Sequence, residues 1–204
     1  ACLPACRLSL ALPGSPTHKN NTLGAFQKPL ARIWPKSETF CIGDQKKTIY
    51  SDKLSREYHF SIIEDASHAL GGSYDDKAVG SCAYSDFAVF SFHPVKITTT
   101  GEGGMVTCNN KATYNKLNLL RSHGVTRDFD KKAYGDWFYK QVELGFNYRM
   151  TDIAAALGLS QLKKLESFID SRKTIASEYD SLLEGVPLSL PYSPRGNKSS
   201  WHLY

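Results

Sequence analysis

From Thr48 onward the apolar positions fall into short blocks whose spacing switches between a two-residue and a helical repeat. Asp52 to His59 reads as the end of a helix, Phe60 to Glu64 as a short buried strand, and Ala66 to Gly72 as the loop leaving its C-terminal end. DFAVFSF, Asp86 to Phe92, predicts a second apolar strand, and Met105 to Cys108 a third after the Gly-Glu-Gly-Gly turn. Asn110 has the character of a helix cap, with Leu117 and Leu120 on one face of the helix that follows. Thr151 caps an Ala-rich helix, after which Leu162, Leu165, Phe168, Ile169, Ala176, Tyr179 and Leu182 recur at helical spacing. Together they predict one long amphipathic helix stopped at Gly185. Strands alternating with helices define an α/β chain, and catalytic groups of open α/β sheets gather at strand C-termini.

Elsewhere the pattern lapses. Residues 1–50 hold Pro4, Pro13, Pro16, Pro29 and Pro35 without a sustained period. Within them Thr17 to Thr22 reads as loop and Leu23 to Trp34 as a short helix broken at Pro29. His123 to Asn147 is rich in Asp, Gly, Lys and aromatics, and predicts a long functional or mobile loop. The tail from Val186 contains Pro187, Pro191 and Pro194 and then SSWHLY, which reads as the beginning of a strand. The expected organisation is an irregular segment 1–50, a principal domain 51–185, and the start of a further, smaller domain at 186–204.

Composition narrows the class. With 204 residues and 41% hydrophobic content, the chain can bury a core. Its net charge of +5 comes from 25 basic and 20 acidic residues that are scattered, with no basic run longer than a pair, so a nucleic-acid stripe is not expected. The positive bias suits an anionic small ligand, although solvated surface charge is the commoner source. Five cysteines (Cys2, Cys6, Cys41, Cys82 and Cys108) lack framework spacing, which points to a reducing cytoplasm rather than a disulfide-stapled module. No C-x-x-C and no histidine pair at helical ligand spacing occur, so no metal is expected. No apolar run is long enough for a bilayer, and Leu8 to Leu12 after Arg7 is too short for a signal peptide before Pro13 and Gly14 end it.

The candidate chemistry lies between Ser61 and Gly104, in SIIEDASHALGG and FSFHPVKITTTGEGG. Asp65 follows an apolar strand and should emerge at the sheet edge, with Glu64 directed the opposite way. Lys96 follows a second apolar strand and a His-Pro turn, a junction that gives an amine a fixed direction. An imine-forming amine and a carboxylate able to hold a protonated pyridine nitrogen are the minimum equipment for pyridoxal phosphate chemistry. Against this stand plainer readings: a solvated lysine, and a loop or cap carboxylate. His68 has the alternatives of a contact to the ring's phenolic oxygen or a satisfied loop histidine, and Ser91 those of a phosphate ligand or an unremarkable serine. The glycines at 101, 103 and 104 match neither G-x-G-x-x-G nor a P-loop, and are expected to permit a tight turn with positive φ.

Five stretches, IIEDASHALGG, SDFAVFSFHPVKITTTGEGGMV, LLRSHG, LGFNYRMTDIAAALGLSQLKKLE and SSWHLY, together resemble the DegT/DnrJ/EryC1/StrS family of sugar aminotransferases. EDASHA with SFHPVK is most similar to the branch that transaminates UDP-4-keto-6-deoxy-N-acetylhexosamines, yielding UDP-4-amino-4,6-dideoxy-N-acetyl-altrosamine-type products. The resemblance implies a partial fold-type I pyridoxal-phosphate-dependent transferase large domain, a mixed, mostly parallel sheet with helices on both faces. Residues 51–185 would be its cofactor-binding part, and both ends would be incomplete relative to the family.

By the same resemblance Lys96 is the lysine that carries pyridoxal 5'-phosphate and shuttles the proton. Asp65 partners the pyridine nitrogen, His68 lies near the phenolic oxygen, Ser91 holds the phosphate, and Asn147 in GFNYRM reaches the phosphate of a neighbouring subunit. Glutamate as amino donor, a nucleotide-sugar acceptor and a homodimer with shared active sites are implied, with no nucleic acid or membrane partner. Lys96 stands where dehydrating members carry histidine, which favours transamination. The alternative is a noncatalytic remnant or fragment that keeps the cofactor-site sequence without activity.

Overall fold

The computed structural model describes the backbone of residues 39–42 and 45–204, with side chains from Asp52 on except Lys131, all within one unit, Ser37–Tyr204. In chain order the elements are β1 (Thr39–Ile42), α1 (Gln45–Tyr58), β2 (Ser61–Asp65), β3 (Ser73–Tyr74), β4 (Lys77–Ala78), β5 (Phe87–Ser91) and β6 (Gly104–Thr107). There follow α2 (Lys111–Arg121), β7 (Val125–Thr126), α3 (Lys131–Tyr134), β8 (Lys140–Gln141), α4 (Asp152–Leu162), α5 (Leu165–Leu182) and β9 (Asn197–Lys198).

The central sheet has the order β1-β2-β5-β6, with β1, β2 and β5 parallel and β6 antiparallel. It is the mixed, mostly parallel sheet that the chain's resemblance implies. Two parallel neighbours need a crossover, and α1 supplies the one between β1 and β2, packing beside both. Along β2 burial alternates, so Ile62 and Glu64 face inward while Ile63 and Asp65 are only half-buried. Asp86 pins the start of β5 to β2: its carboxylate accepts the Ile62 N–H at 2.8 Å, and its own N–H donates to the Ile62 carbonyl at 3.0 Å.

Ala66, Cys82, Ala88, Phe90 and Phe92 form the core beside the strand ends, with Ala69, Leu70, Val79 and Met150 packed against it. Small residues sit where backbones close on one another. A Cβ on Gly104 would lie 2.7 Å from the Phe90 carbonyl oxygen, so only glycine lets β6 start tight against β5. Gly101 and Gly103 take the positive φ expected of the turn; Gly104 does not, being a strand residue needed for close approach instead.

The caps fall where the sequence puts them. Asn110 accepts the Thr113 N–H at 3.0 Å and Thr151 that of Ala154 at 3.2 Å. The single long helix does not form, because α4 and α5 are separated at Lys163–Lys164, where the Lys164 N–H bonds back only three residues to Gln161. A break made by shortened backbone bonds, with no proline or glycine, leaves the apolar spacing undisturbed and hence no sequence signal. Gly185 lies beyond the end of α5 with φ +81°.

His123 to Asn147 is not a structureless loop. β7 and β8 pair antiparallel, and Phe129, Tyr134 and Phe138 pack between them in sequence with centroids 4.7–6.1 Å apart. Strands two residues long show no period, which is why the pattern missed them. SSWHLY is not a strand either. The pairing is made by Asn197–Lys198 against β3, and 199–204 runs on irregularly with Trp201 at φ +49°. Ordered elements also begin earlier than the irregular 1–50 expectation, at Thr39 and Gln45. The short helix expected at Leu23 to Trp34, the Thr17 to Thr22 loop, the Leu8 to Leu12 stretch and the side chains of Cys2, Cys6 and Cys41 lie outside the described residues.

Candidate active site

β2 and β5 run side by side in parallel, with Asp65 in register with Val89, so the chain leaves both strands at the same sheet edge. Asp65 is the last residue of β2. Its Oδ1 accepts the Ser67 N–H at 3.1 Å, and the next N–H, of Ala66, bonds the Val89 carbonyl at 2.9 Å. The carboxylate is thereby oriented by its own turn, while Glu64 is buried on the other side of the strand.

Lys96 stands one turn beyond β5. The His93–Lys96 turn, with Pro94 second, is closed by the Lys96 N–H donating to the His93 carbonyl at 2.9 Å. Immediately after it Ile97, Thr98 and Thr100 are buried, and both the Thr99 hydroxyl and the Thr100 N–H bond the Phe92 carbonyl at 3.0 Å. The half-buried lysine is therefore held between a closed turn and a loop folded back on its own strand.

One imidazole senses both groups. Covering of the His68 ring lowers its pKa first, the Lys96 ammonium lowers it further, and the Asp65 carboxylate acts in the opposite direction. The two strand-end charges thus converge on His68, which the Asp-Ala-Ser-His turn places three residues after Asp65. The charges of Lys96 and Asp65, far apart in sequence, both act on the His68 ring.

Ser91 closes β5, opposite Gly104, and its hydroxyl accepts the His93 N–H at 3.4 Å. It shares the sheet edge with Asp65 and the Lys96 turn. Asn147 comes from a different stretch of the chain. It is exposed and forms a backbone bridge with Ser122, after the β7–β8 hairpin. The residues that follow it, Tyr148 to Thr151, line a concavity of about 480 Å³ together with Thr100, Glu102, Gly103 and Gly104 of the loop beyond Lys96.

The site also contains groups not singled out in the sequence. His202 lies against His68 with ring centroids 4.3 Å apart and planes tilted by 39°. Its pKa is lowered to about 4 by burial first, then by His68, Lys96 and Arg172. Arg172, from the middle of α5, donates from Nη1 to the carbonyls of Trp201 at 3.1 Å and His202 at 3.0 Å. SSWHLY carries recognisable text, but its proximity to His68 depends on a contact spanning the chain from β2 to its last residues. Among the described residues no group of three or more His, Cys, Asp or Glu could hold a metal ion, and no helix is long and apolar enough to cross a membrane.

Comparison with known proteins identifies the family. The sequence profile of the DegT/DnrJ/EryC1/StrS aminotransferase family matches residues 46–204. A UDP-4-amino-4,6-dideoxy-N-acetyl-beta-L-altrosamine transaminase of Campylobacter jejuni is 47% identical over 152 residues, covering 74% of this chain and 38% of that enzyme. Among solved structures, Helicobacter pylori PseC, an aminotransferase involved in pseudoaminic acid biosynthesis, superposes with a TM-score of 0.68 at 35% identity, over 78% of this chain and 41% of that one. The pyridoxal phosphate form of the sugar aminotransferase Spr1654 from Streptococcus pneumoniae gives 0.62 at 36% identity, over 78% and 41%. The chain therefore spans about two fifths of the length of these relatives.

Proposed function

The chain belongs to the DegT/DnrJ/EryC1/StrS aminotransferase family, whose members depend on pyridoxal phosphate, and from that membership we propose a specific reaction. An amino group passes from glutamate to the keto carbon of a nucleotide-linked 4-keto-6-deoxy sugar. The observation that carries the reading is the parallel register of β2 and β5, which brings the Asp65 carboxylate, Ser91 and the closed Lys96 turn out at one sheet edge. The names of the Campylobacter and Helicobacter relatives support the nucleotide-sugar acceptor.

The residues present fit the cofactor. A carboxylate preset by the Ser67 N–H, an amine held at a closed turn and a hydroxyl at the end of β5 meet its three needs: a charge partner for the ring nitrogen, an amine for the aldehyde and a donor for the phosphate. Bound there, pyridoxal phosphate supplies an aldehyde that takes up amines and a protonated ring that withdraws electrons from the adjacent carbon. Asp65 holds the proton on the ring nitrogen by charge. With the group bound, Lys96 Nζ would take a proton from one carbon and return it to another, from a turn followed by the buried Ile97 and Thr98. His68 would lie beside the ring oxygen, and Ser91 would donate its hydroxyl to the phosphate.

Asn147 completes the phosphate site of a second copy in a homodimer. This assignment is supported by the exposure of Asn147. Residues 51–185 form the cofactor part, and 186–204 leads into a smaller domain. The compartment is cytoplasmic, consistent with the free Cys82 and Cys108.

The direct test adds pyridoxal phosphate to the purified chain, reduces with borohydride and maps the modified residue by mass spectrometry. Modification at Lys96, lost in Lys96→Ala, is expected. Absence of a modified peptide, or labelling unchanged in Lys96→Ala, removes the reading.

A further inference from the structure

Among the described residues, the buried side-chain nitrogen without a hydrogen-bond partner is Nδ1 of His202. Buried polar atoms are nearly always satisfied, so an exception beside a catalytic group calls for a missing partner. Its surroundings limit what that partner is. The Lys96 ammonium and the Arg172 guanidinium both oppose a positive charge on the ring, and His68 covers one face. The ring is a neutral imidazole, with one nitrogen donating and the other accepting. Neither a carboxylate nor an ammonium is called for; a neutral oxygen group suits either tautomer.

The ring is also prevented from moving away to find water. Arg172 Nη1 binds the carbonyls of Trp201 and His202 at 3.1 and 3.0 Å. The Trp201 N–H donates to the Ser199 hydroxyl at 3.1 Å, and the Ser200 hydroxyl to the His68 carbonyl at 3.5 Å. Ser200 is buried, 3% exposed, so this short strap is fastened both to α5 and to the loop that carries His68. One planar guanidinium nitrogen, Nη1, donating to two successive carbonyls fixes direction as well as distance, which a freely rotating lysine ammonium on a different stem does not.

We infer that Arg172 is a positioning residue that seats the His202 imidazole on His68 beside Lys96, and that Nδ1 of His202 hydrogen-bonds a hydroxyl of the sugar substrate. The sugar contact rests on the aminotransferase reading above; the seating does not.

Two measurements separate the parts. The first follows the His202 ring by proton NMR during a pH titration of the chain without cofactor. In Arg172→Lys, which keeps the charge and loses the planar Nη1 donor shared by the two carbonyls, the midpoint should rise from about 4 toward the ordinary 6.5. A midpoint unchanged in Arg172→Lys overturns the positioning role. The groups facing the ring in this titration are His68, Lys96 and Arg172.

The second uses UDP-N-acetylglucosamine as probe on the cofactor-loaded chain, with affinity expressed per loaded site. His202→Phe keeps an aromatic ring against His68 and loses the nitrogen, and should weaken the probe about tenfold. His202→Asn, which restores a polar atom near the Nδ1 position, should recover much of that loss. Arg172→Lys should weaken the probe similarly, and the double variant with His202→Phe no further. Equal affinity in His202→Phe and the parent overturns the sugar contact, as do additive losses in the double variant. Failure of the parent chain to take up pyridoxal phosphate sinks the aminotransferase reading and the sugar contact with it, while the seating is still decided by the titration.

Discussion

His202 lies against His68 at 4.3 Å between ring centroids, joining the last residues of the chain to the turn that follows β2. Two imidazoles in contact, with Lys96 near both, disfavour a proton on either. That contact links the acid response of the chain to its candidate site.

Stability should consequently fall with acid in a defined window. The His202 pKa is 6.5 unfolded and about 4 folded, so below about pH 6.5 the unfolded chain binds a proton that the folded one resists. Stability present above that pH is lost as pH drops toward 4, then levels; His68, shifted in the same direction, adds to the effect. Urea midpoints measured from pH 7.5 to 4.5 should fall more steeply in the parent than in His202→Phe. Parallel profiles would show that the pair does not govern the response.

Asp65→Asn should still allow pyridoxal phosphate to attach at Lys96 but slow the glutamate half-reaction about a hundredfold, since an amide holds no ring proton by charge. Single-turnover absorbance of the loaded chain reads this. A rate within about threefold of the parent would remove Asp65 from that role.

A shared site predicts complementation. Lys96→Ala and Asn147→Ala chains, each weak alone, should regain activity when mixed, because a mixed dimer contains one site with both groups intact. No recovery in a mixture that demonstrably exchanges subunits would place Asn147 outside the partner's site.

The two glycines beside Lys96 should respond differently to alanine. At Gly104 the added Cβ meets the Phe90 carbonyl at 2.7 Å, a backbone clash expected to cost about 1–3 kcal/mol. At Gly101 no atom lies within 4 Å, and the cost, about 1 kcal/mol, comes from φ +79° alone. Urea denaturation of both variants ranks them, and an equal or reversed ranking contradicts the close β5–β6 approach.

Each cap should contribute independently. Asn110→Ala and Thr151→Ala remove acceptors at the starts of α2 and α4 and should each cost about 1 kcal/mol, adding to about 2 in the double variant. A urea midpoint unmoved by either substitution would argue against the cap concerned.

By itself the sequence determined what local rules encode. The apolar runs read as strands at Phe60 to Glu64 and Asp86 to Phe92 lie within a residue of the observed β2 and β5, Asn110 and Thr151 placed two helix starts, and Asp65 and Lys96 were marked by the strand ends beside them. Each depends on a few neighbouring residues, and so is written in spacing and side-chain type. The tertiary structure alone decided what rests on distant partners or backbone bonding. The break at Lys163–Lys164, the hairpin of β7 and β8, and β9 pairing with β3 depend on which carbonyl an N–H finds. The same holds for the site's last member. SSWHLY was legible as text, but His202 reaches His68 only because Arg172, a helix away, binds the two carbonyls that set its direction, and no local pattern records that contact.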